Sequence, residues 1–271
     1  MAEKILSNPA LDKLLLKEGY IVVSFLNETE IKNLTDFFYE NHPDGINGFY
    51  ATAHVQDISF RKKMNERIKS VFQRSVDDYF HECSPLGGSF VVKSNTQKER
   101  LHPHQDWNIV DEEKHRSFNI WIPLVDLTKE NGVIKVMPKS HRWIKTFRGP
   151  NLPDTFENVH EEIWNAMKPL YMKAGEALIY DHRLFHASEP NQTKDLRLAS
   201  VFGIISEKAQ MYYYCGNNGN VEMYESSPDF FLNEDIQKGP EILKKVASVK
   251  MNDSKIGKWK YKWLQVINKI S

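Results

Sequence analysis

The sequence predicts a mainly β fold, a double-sheet jelly roll (a cupin-like double-stranded β-helix) backed by N-terminal helices. Two observations carry that expectation. Between Ser89 and Ile205, short β-branched and aromatic runs alternate with turn residues. Ahead of them lie helical stretches whose apolar residues recur near the helical period and need a sheet face to cover. At 271 residues the chain can bury one large core. Residues 1–271 are therefore expected to form a single domain: a helical buttress with the first strands over 1–88, a jelly-roll core over 89–206, and a final hairpin with a basic helix over 207–271.

The first helix is expected over Asn8 to Glu18, with Leu11, Leu14 and Leu15 on one face and Gly19 as its C-cap. Tyr20 to Leu26 reads as a strand. Asn27 to Thr29 then offer caps for a helix reaching about Glu40, with Ile31, Leu34 and Phe37/Phe38 inward. Asp57 to Glu82 is a second long helical stretch, carrying Met64, Ile68, Val71, Phe72 and Tyr79. Strands follow at Phe90–Lys93, Leu101–Trp107, Phe118–Val125, Val133–Met137, Glu176–Tyr180 and Arg197–Ile204. Lys129-Glu-Asn-Gly132 has the residues of a hairpin-type turn, since Asn-Gly takes positive φ at low cost. Pro138 to about Lys168 is a long insertion of the kind that forms lids or binding surfaces. Ala209 to Cys215 and Val221 to Tyr224, joined by Gly-Asn-Asn-Gly, predict a hairpin. In the last 30 residues or so, Lys244, Lys245, Lys250, Lys255, Lys258, Lys260, Lys262 and Lys269 face one acid, Asp253. These lysines read as a solvated face or as a cradle for an anionic or carrier-linked substrate, and Trp259, Trp263 and Ile267 fall at helical spacing to dock the helix.

Charge narrows the function classes. Lys plus Arg and Asp plus Glu number 36 each, which argues against a nucleic-acid binder. Two distant cysteines, Cys83 and Cys215, make no disulfide framework and read as packing residues in a reducing compartment. Neither a leader pattern nor 18 uninterrupted apolar residues is found, so a soluble, cytoplasmic protein without a membrane span is expected. Its Asn-Lys-Ile-Ser end is not a Ser-Lys-Leu peroxisomal address.

The chemistry centres on Leu101-His-Pro-His-Gln-Asp-Trp107. His104 and Asp106 lie two apart, so on an extended segment both side chains leave one face. His186 supplies a third donor, and two histidines with one carboxylate form the triad that holds non-haem Fe(II) while leaving coordination sites open. Within the stretch, a His102/His104 pair competes, and His182 competes with His186. His115, His141 and His160 read as solvent-facing, and Trp107 as a core aromatic. Arg197 follows His186 by eleven residues, placing a cation on the neighbouring strand.

Taken together, His104-x-Asp106, His186, Ser188 and Arg197 resemble the phytanoyl-CoA dioxygenase family of Fe(II)- and 2-oxoglutarate-dependent oxygenases, over about Phe90 to Ile205. The resemblance implies iron held by His104, Asp106 and His186, 2-oxoglutarate as cosubstrate with its far carboxylate clamped by Arg197, and O2 as the oxidant. By the same resemblance Ser188, Asn119 and Trp121 line the cosubstrate pocket. Because Asp106 keeps the carboxylate that halogenating relatives replace, hydroxylation of an unactivated carbon of a small molecule is the expected outcome. Two rival readings remain at this stage: a cupin-like metal isomerase or lyase that uses no oxygen, and a non-catalytic ligand-binding relative. Selectivity for the substrate is expected in Gly48 to Val55, in the 138–168 insertion and in the Tyr212 to Glu225 hairpin.

Overall fold

The computed structural model describes residues 4–42, 44–96, 99–234 and 240–270, of which 267–270 by backbone alone. Six helices of more than one turn alternate with thirteen strands among these residues. Chain order runs α1 (Pro9–Glu18), β1 (Tyr20–Ser24), α2 (Glu28–Glu40), β2 (Phe49–Ala51), α3 (Ile58–Tyr79), β3 (Cys83–Lys93), β4 (Leu101–His104), β5 (Ser117–Pro123) and β6 (Ile134–Val136). It continues through α4 (His160–Ala166), β7 (Lys168–Leu170), β8 (Glu176–Asp181), β9 (His186–Ser188), β10 (Arg197–Ser206), β11 (Met211–Asn217), β12 (Asn220–Ser226), α5 (Pro228–Asn233), β13 (Lys245–Lys250) and α6 (Lys258–Ile270).

The helix ends form where cap chemistry dictates. Asn8 accepts from the amides of Ala10 and Leu11, and Gly19 closes α1 at φ 84°. Asn27 and Glu30 make a reciprocal capping box on α2. Glu30 also pairs with Arg74 of α3 at 2.8 Å, which ties the two helices together. Leu15 is buried in α1, but Leu14, expected beside it, is exposed, because the helix offers only a narrow stripe to the sheet.

All strand pairs are antiparallel. A six-stranded sheet runs β1-β8-β5-β10-β3-β2, a four-stranded sheet β4-β9-β6-β7, and a three-stranded sheet β11-β12-β13. Alternation divides the large sheet into two faces. Phe118, Ile120 and Ile122 of β5, with Leu198, Phe202 and Ile204 of β10, pack on Leu34, Phe38, Met64, Ile68 and Phe72 of α2 and α3. Trp121, Tyr180 and Ala199 face the other way, toward Ile134, Val136 and Leu170 of the four-stranded sheet. The space between these two sheets holds the candidate site.

Several expectations are corrected. Gly132 does take positive φ, at 88°, but the Lys129–Gly132 turn carries the chain from the large sheet into the four-stranded one, so it closes no hairpin. The 138–168 insertion is no open loop. Its Trp143, Phe156, Val159, Ile163 and Trp164 form a second core with Tyr261 and Leu264 of α6. That docking leaves Trp259 89% exposed and Trp263 also exposed: Tyr261 and Leu264, three residues apart, take the inward stripe that the tryptophans were expected to occupy. The side chain of Ile267 lies outside the described residues. His141, expected in solvent, is buried with Nε2 on the Leu16 carbonyl at 3.0 Å, and burial pushes its pKa down to about 4. The β11–β12 hairpin forms as expected, one residue pair around Asn218-Gly219. Cys83 and Cys215 are free thiols. No described helix is long and apolar enough to cross a membrane.

Candidate active site

His104 ends β4 and lies directly opposite His186 at the start of β9. The ladder ends there, and Asp106 is held by another contact: its amide donates to the carbonyl of His182, in the β8–β9 turn, at 2.9 Å. One nitrogen from each histidine and one carboxylate oxygen of Asp106 thereby lie within 4.8 Å of one another, a group that could hold a metal ion. Nδ1 of His104 donates to the His102 carbonyl at 2.8 Å, and Nδ1 of His186 contacts the Leu184 carbonyl at 3.1 Å. These bonds select the tautomer that leaves Nε2 of each ring as an acceptor, that of His186 lying 3.4 Å from the Tyr180 hydroxyl. Asn119 of β5 donates to Asp106 Oδ2 at 2.8 Å and so orients the carboxylate.

Electrostatics favour the ligand forms. Burial, and next the neighbouring charge of His186, push His104 down to about 4, so its ring stays neutral. For Asp106, burial acts upward and is the largest single influence, but His186, His182, His104 and the Asn119 bond together hold it at about 2. His182, the rival distal ligand, is buried in the turn that supports Asp106, and neither ring nitrogen has a hydrogen-bond partner among the described residues. His102 is exposed and stacks loosely on His160, with ring centroids 6.3 Å apart, so the His102/His104 pair does not form.

A cavity of about 250 Å³ contains every residue singled out by the sequence: His104, Asp106, His186, Ser188, Asn119, Trp121 and Arg197. Arg197 starts β10 with its side chain on the inner face, 2% exposed. Nη1 donates to the Gly132 carbonyl at 3.0 Å, the guanidinium lies 5.4 Å from the Trp121 ring centre, and Nε has no partner among the described residues. Burial lowers its pKa to about 10. Of the segments expected to set selectivity, Phe49, Ala51, Ala53 and His54 line this cavity. The insertion forms a neighbouring one of about 160 Å³ against His104, Gln105 and Trp107. Trp107 is thus half-buried on a cavity wall, because β4 ends at His104 and the chain turns toward the insertion. The described residues of the 212–225 hairpin line neither.

Two residues escaped the sequence reading. Lys93 ends β3 opposite Arg197 and is 1% exposed, with Nζ on the Glu189 carbonyl at 2.9 Å. Burial, then the charge of Arg197, lower it to about 7. Its parity with Ser89 and Val91 was an available signal. Arg148, from the insertion, donates through Nε to the Asp106 carbonyl at 2.6 Å and pairs with Glu112; no local pattern announces that contact.

Comparison with known proteins bears on the family and the fold. Dioxygenase trt7 of Aspergillus terreus is 28% identical over 119 residues, covering 41% of this chain and 37% of that protein. The chain therefore spans under two fifths of that relative's length. Among solved structures, the non-haem alpha-ketoglutarate-dependent epimerase SnoN from nogalamycin biosynthesis superposes with a TM-score of 0.56 at 17% identity, covering 90% of this chain and 94% of its own. The carbocyclase SnoK from the same biosynthesis gives 0.55 at 16%, covering 75% and 86%; at such identities the likeness is one of fold, the double-stranded β-helix. The family model for phytanoyl-CoA dioxygenase (PhyH) matches residues 25–199, a span that includes all three candidate metal donors and Arg197, and the chain belongs to that family.

Proposed function

We propose that the chain is an Fe(II)- and 2-oxoglutarate-dependent dioxygenase that hydroxylates an unactivated carbon of a small molecule, and that residues 1–271 act as one oxygenase domain. The observation that carries this reading is a three-donor cluster and a buried, carboxylate-free guanidinium facing one cavity. Two imidazoles and a carboxylate suit a divalent first-row ion with open positions. Arg197 is the second support. A buried cation with an unpartnered Nε and no carboxylate partner among the described residues is costly unless an anion completes it. A dicarboxylate held at the metal by one end would present its other carboxylate to this guanidinium, which is suited to paired charge-assisted bonds.

Bound at the triad, iron with 2-oxoglutarate and O2 would supply the oxidising power, with 2-oxoglutarate leaving as succinate and carbon dioxide. The chain's own residues do the rest. Asn119 fixes the Asp106 carboxylate, Arg148 and the His182 carbonyl fix its backbone, and Arg197 with Ser188 orients the cosubstrate. Trp121 and Tyr180 exclude water from the inner face. A metal isomerase or lyase has no use for a buried cation in the same cavity as the donors, and the Arg197 position favours the oxygenase.

The test is succinate release under iron, ascorbate and oxygen. His186→Ala is expected to abolish it, and retained turnover at stoichiometric iron overturns the assignment. Arg197→Ala is expected to raise the apparent KM for 2-oxoglutarate by roughly tenfold to a hundredfold, the size of a lost charge-assisted hydrogen bond. An unchanged KM moves the anchor elsewhere.

A further inference from the structure

A second cavity, also about 250 Å³, continues from the candidate metal chamber along the inner face of the large sheet, and Ala53, Ser89, Asn119 and Val201 line both. Its far wall is apolar: Leu86, Ile109, Met211, and Phe231 and Leu232 of α5. Gly87 and Gly203 face each other across the β3–β10 ladder and keep this end of the sheet bare. A Cβ at Gly87, whose φ is 140°, would come 2.9 Å from Asn65 Oδ1, and one at Gly203 would come 3.0 Å from Leu86 Cδ1. Among the described residues no carboxylate lines the cavity, and the one charged side chain is Arg61.

Arg61 is 8% exposed. Nη1 and Nη2 donate to the carbonyls of Glu234 and Asn233 at 3.0 and 3.2 Å, which anchors the end of α5. Nε is buried and has no partner among the described residues. A buried guanidinium on the wall of a mainly apolar chamber marks where a ligand's acceptor belongs.

We propose that this chamber holds the substrate, and that the substrate is a compact, mainly apolar molecule bearing one acceptor oxygen, carbonyl or carboxylate, set against the Arg61 guanidinium. The skeleton fills the space between Leu86 and α5, and the carbon that passes Asn119 and Val201 is the one presented to the metal chamber. Cationic molecules are disfavoured, since no carboxylate among the described lining residues offers them a countercharge. The word substrate rests on the oxygenase reading; the binding chemistry does not.

The test is equilibrium dialysis of the metal-free full chain with 2-naphthoate, 2-acetylnaphthalene and 2-naphthylmethylammonium. The first two are expected to bind roughly tenfold or more tighter than the third, and a larger loss for naphthoate than for the ketone in Arg61→Gln identifies the carboxylate as the preferred acceptor. Val201→Phe and Met211→Trp, which fill the chamber from two sides without touching Arg61, are each expected to weaken both by roughly tenfold or more. Equal affinity for the ammonium probe, no binding of the first two, or unchanged dissociation constants in both filled variants overturns the proposal. Anaerobic binding of 2-oxoglutarate with Fe(II), read by its visible absorption, separates the two claims. Probe binding without that complex sinks the oxygenase reading and leaves the chamber, whereas the complex without probe binding sinks the chamber alone.

Discussion

The two faces of the large sheet are built from the same strands and obey opposite rules. On the outer face β5 and β10 present Phe118, Ile120, Phe202 and Ile204 to two helices, and these residues share one apolar core. On the inner face the residues between them, Asn119, Trp121, Arg197 and Val201, line a cavity that contains a buried cation and three candidate metal donors. The lesson is one of parity. A one-residue slip in register would exchange the two sets, so the packing of the outer face is what keeps the inner face polar. Stability is concentrated on one side, and chemistry, at a cost in stability, on the other.

The comparison breaks most visibly at Phe202, fully packed against Phe72 with ring centroids 5.5 Å apart. Phe202→Ala is expected to cost about 3–5 kcal/mol, measured by urea unfolding. A loss below about 1 kcal/mol would mean that the helices are not what holds the sheet. Lys93 sharpens the contrast from the inner side. Its pKa is lowered from 10.5 to about 7, so between those values the unfolded chain holds a proton that the folded chain does not, and stability rises with pH through that window. Below about 7 the full cost of the buried charge is present. Lys93→Met is expected to remove this rise and to stabilise the fold most at the low end of the window, and parallel melting curves of the two proteins between neutral and alkaline pH would contradict it. The smallest effect belongs to Trp259. With its ring 89% exposed, Trp259→Ser should change stability by no more than about 0.5 kcal/mol, whereas Tyr261→Ala, on the buried stripe of the same helix, should be several times more costly in the same thermal assay.

Much of this arrangement was legible because it is local. Asn8 and Gly19, and Asn27 with Glu30, delimit α1 and α2 by capping chemistry that acts within a few residues. The donors announce themselves through residue type and spacing. What the sequence hid depends on contacts between distant segments. Arg148 reaches the Asp106 carbonyl only because the insertion folds back over β4. Lys93 becomes a buried cation only when β3 pairs with β10. The Lys129–Gly132 turn has hairpin chemistry, yet β5 finds its neighbours in one sheet and β6 in the other. In α6, tryptophan is the more apolar-looking anchor, but the stripe that meets Trp143 and Phe156 carries Tyr261 and Leu264. Helical spacing alone does not choose between two apolar stripes on one helix.

The pairing of His104 with His186 also bears on how the molecule assembles. It joins segments far apart in the chain through a ladder only a few residues long, while the long β3–β10 ladder runs from Arg197 to Ser206. Closing so large a loop carries its entropic penalty before the short ladder returns anything, so β4 and β9 should meet late in folding and part first in native-state fluctuations. Amides of 101–106 are therefore expected to exchange with solvent through openings far cheaper than global unfolding, and an ion bridging the two strands would slow that exchange selectively.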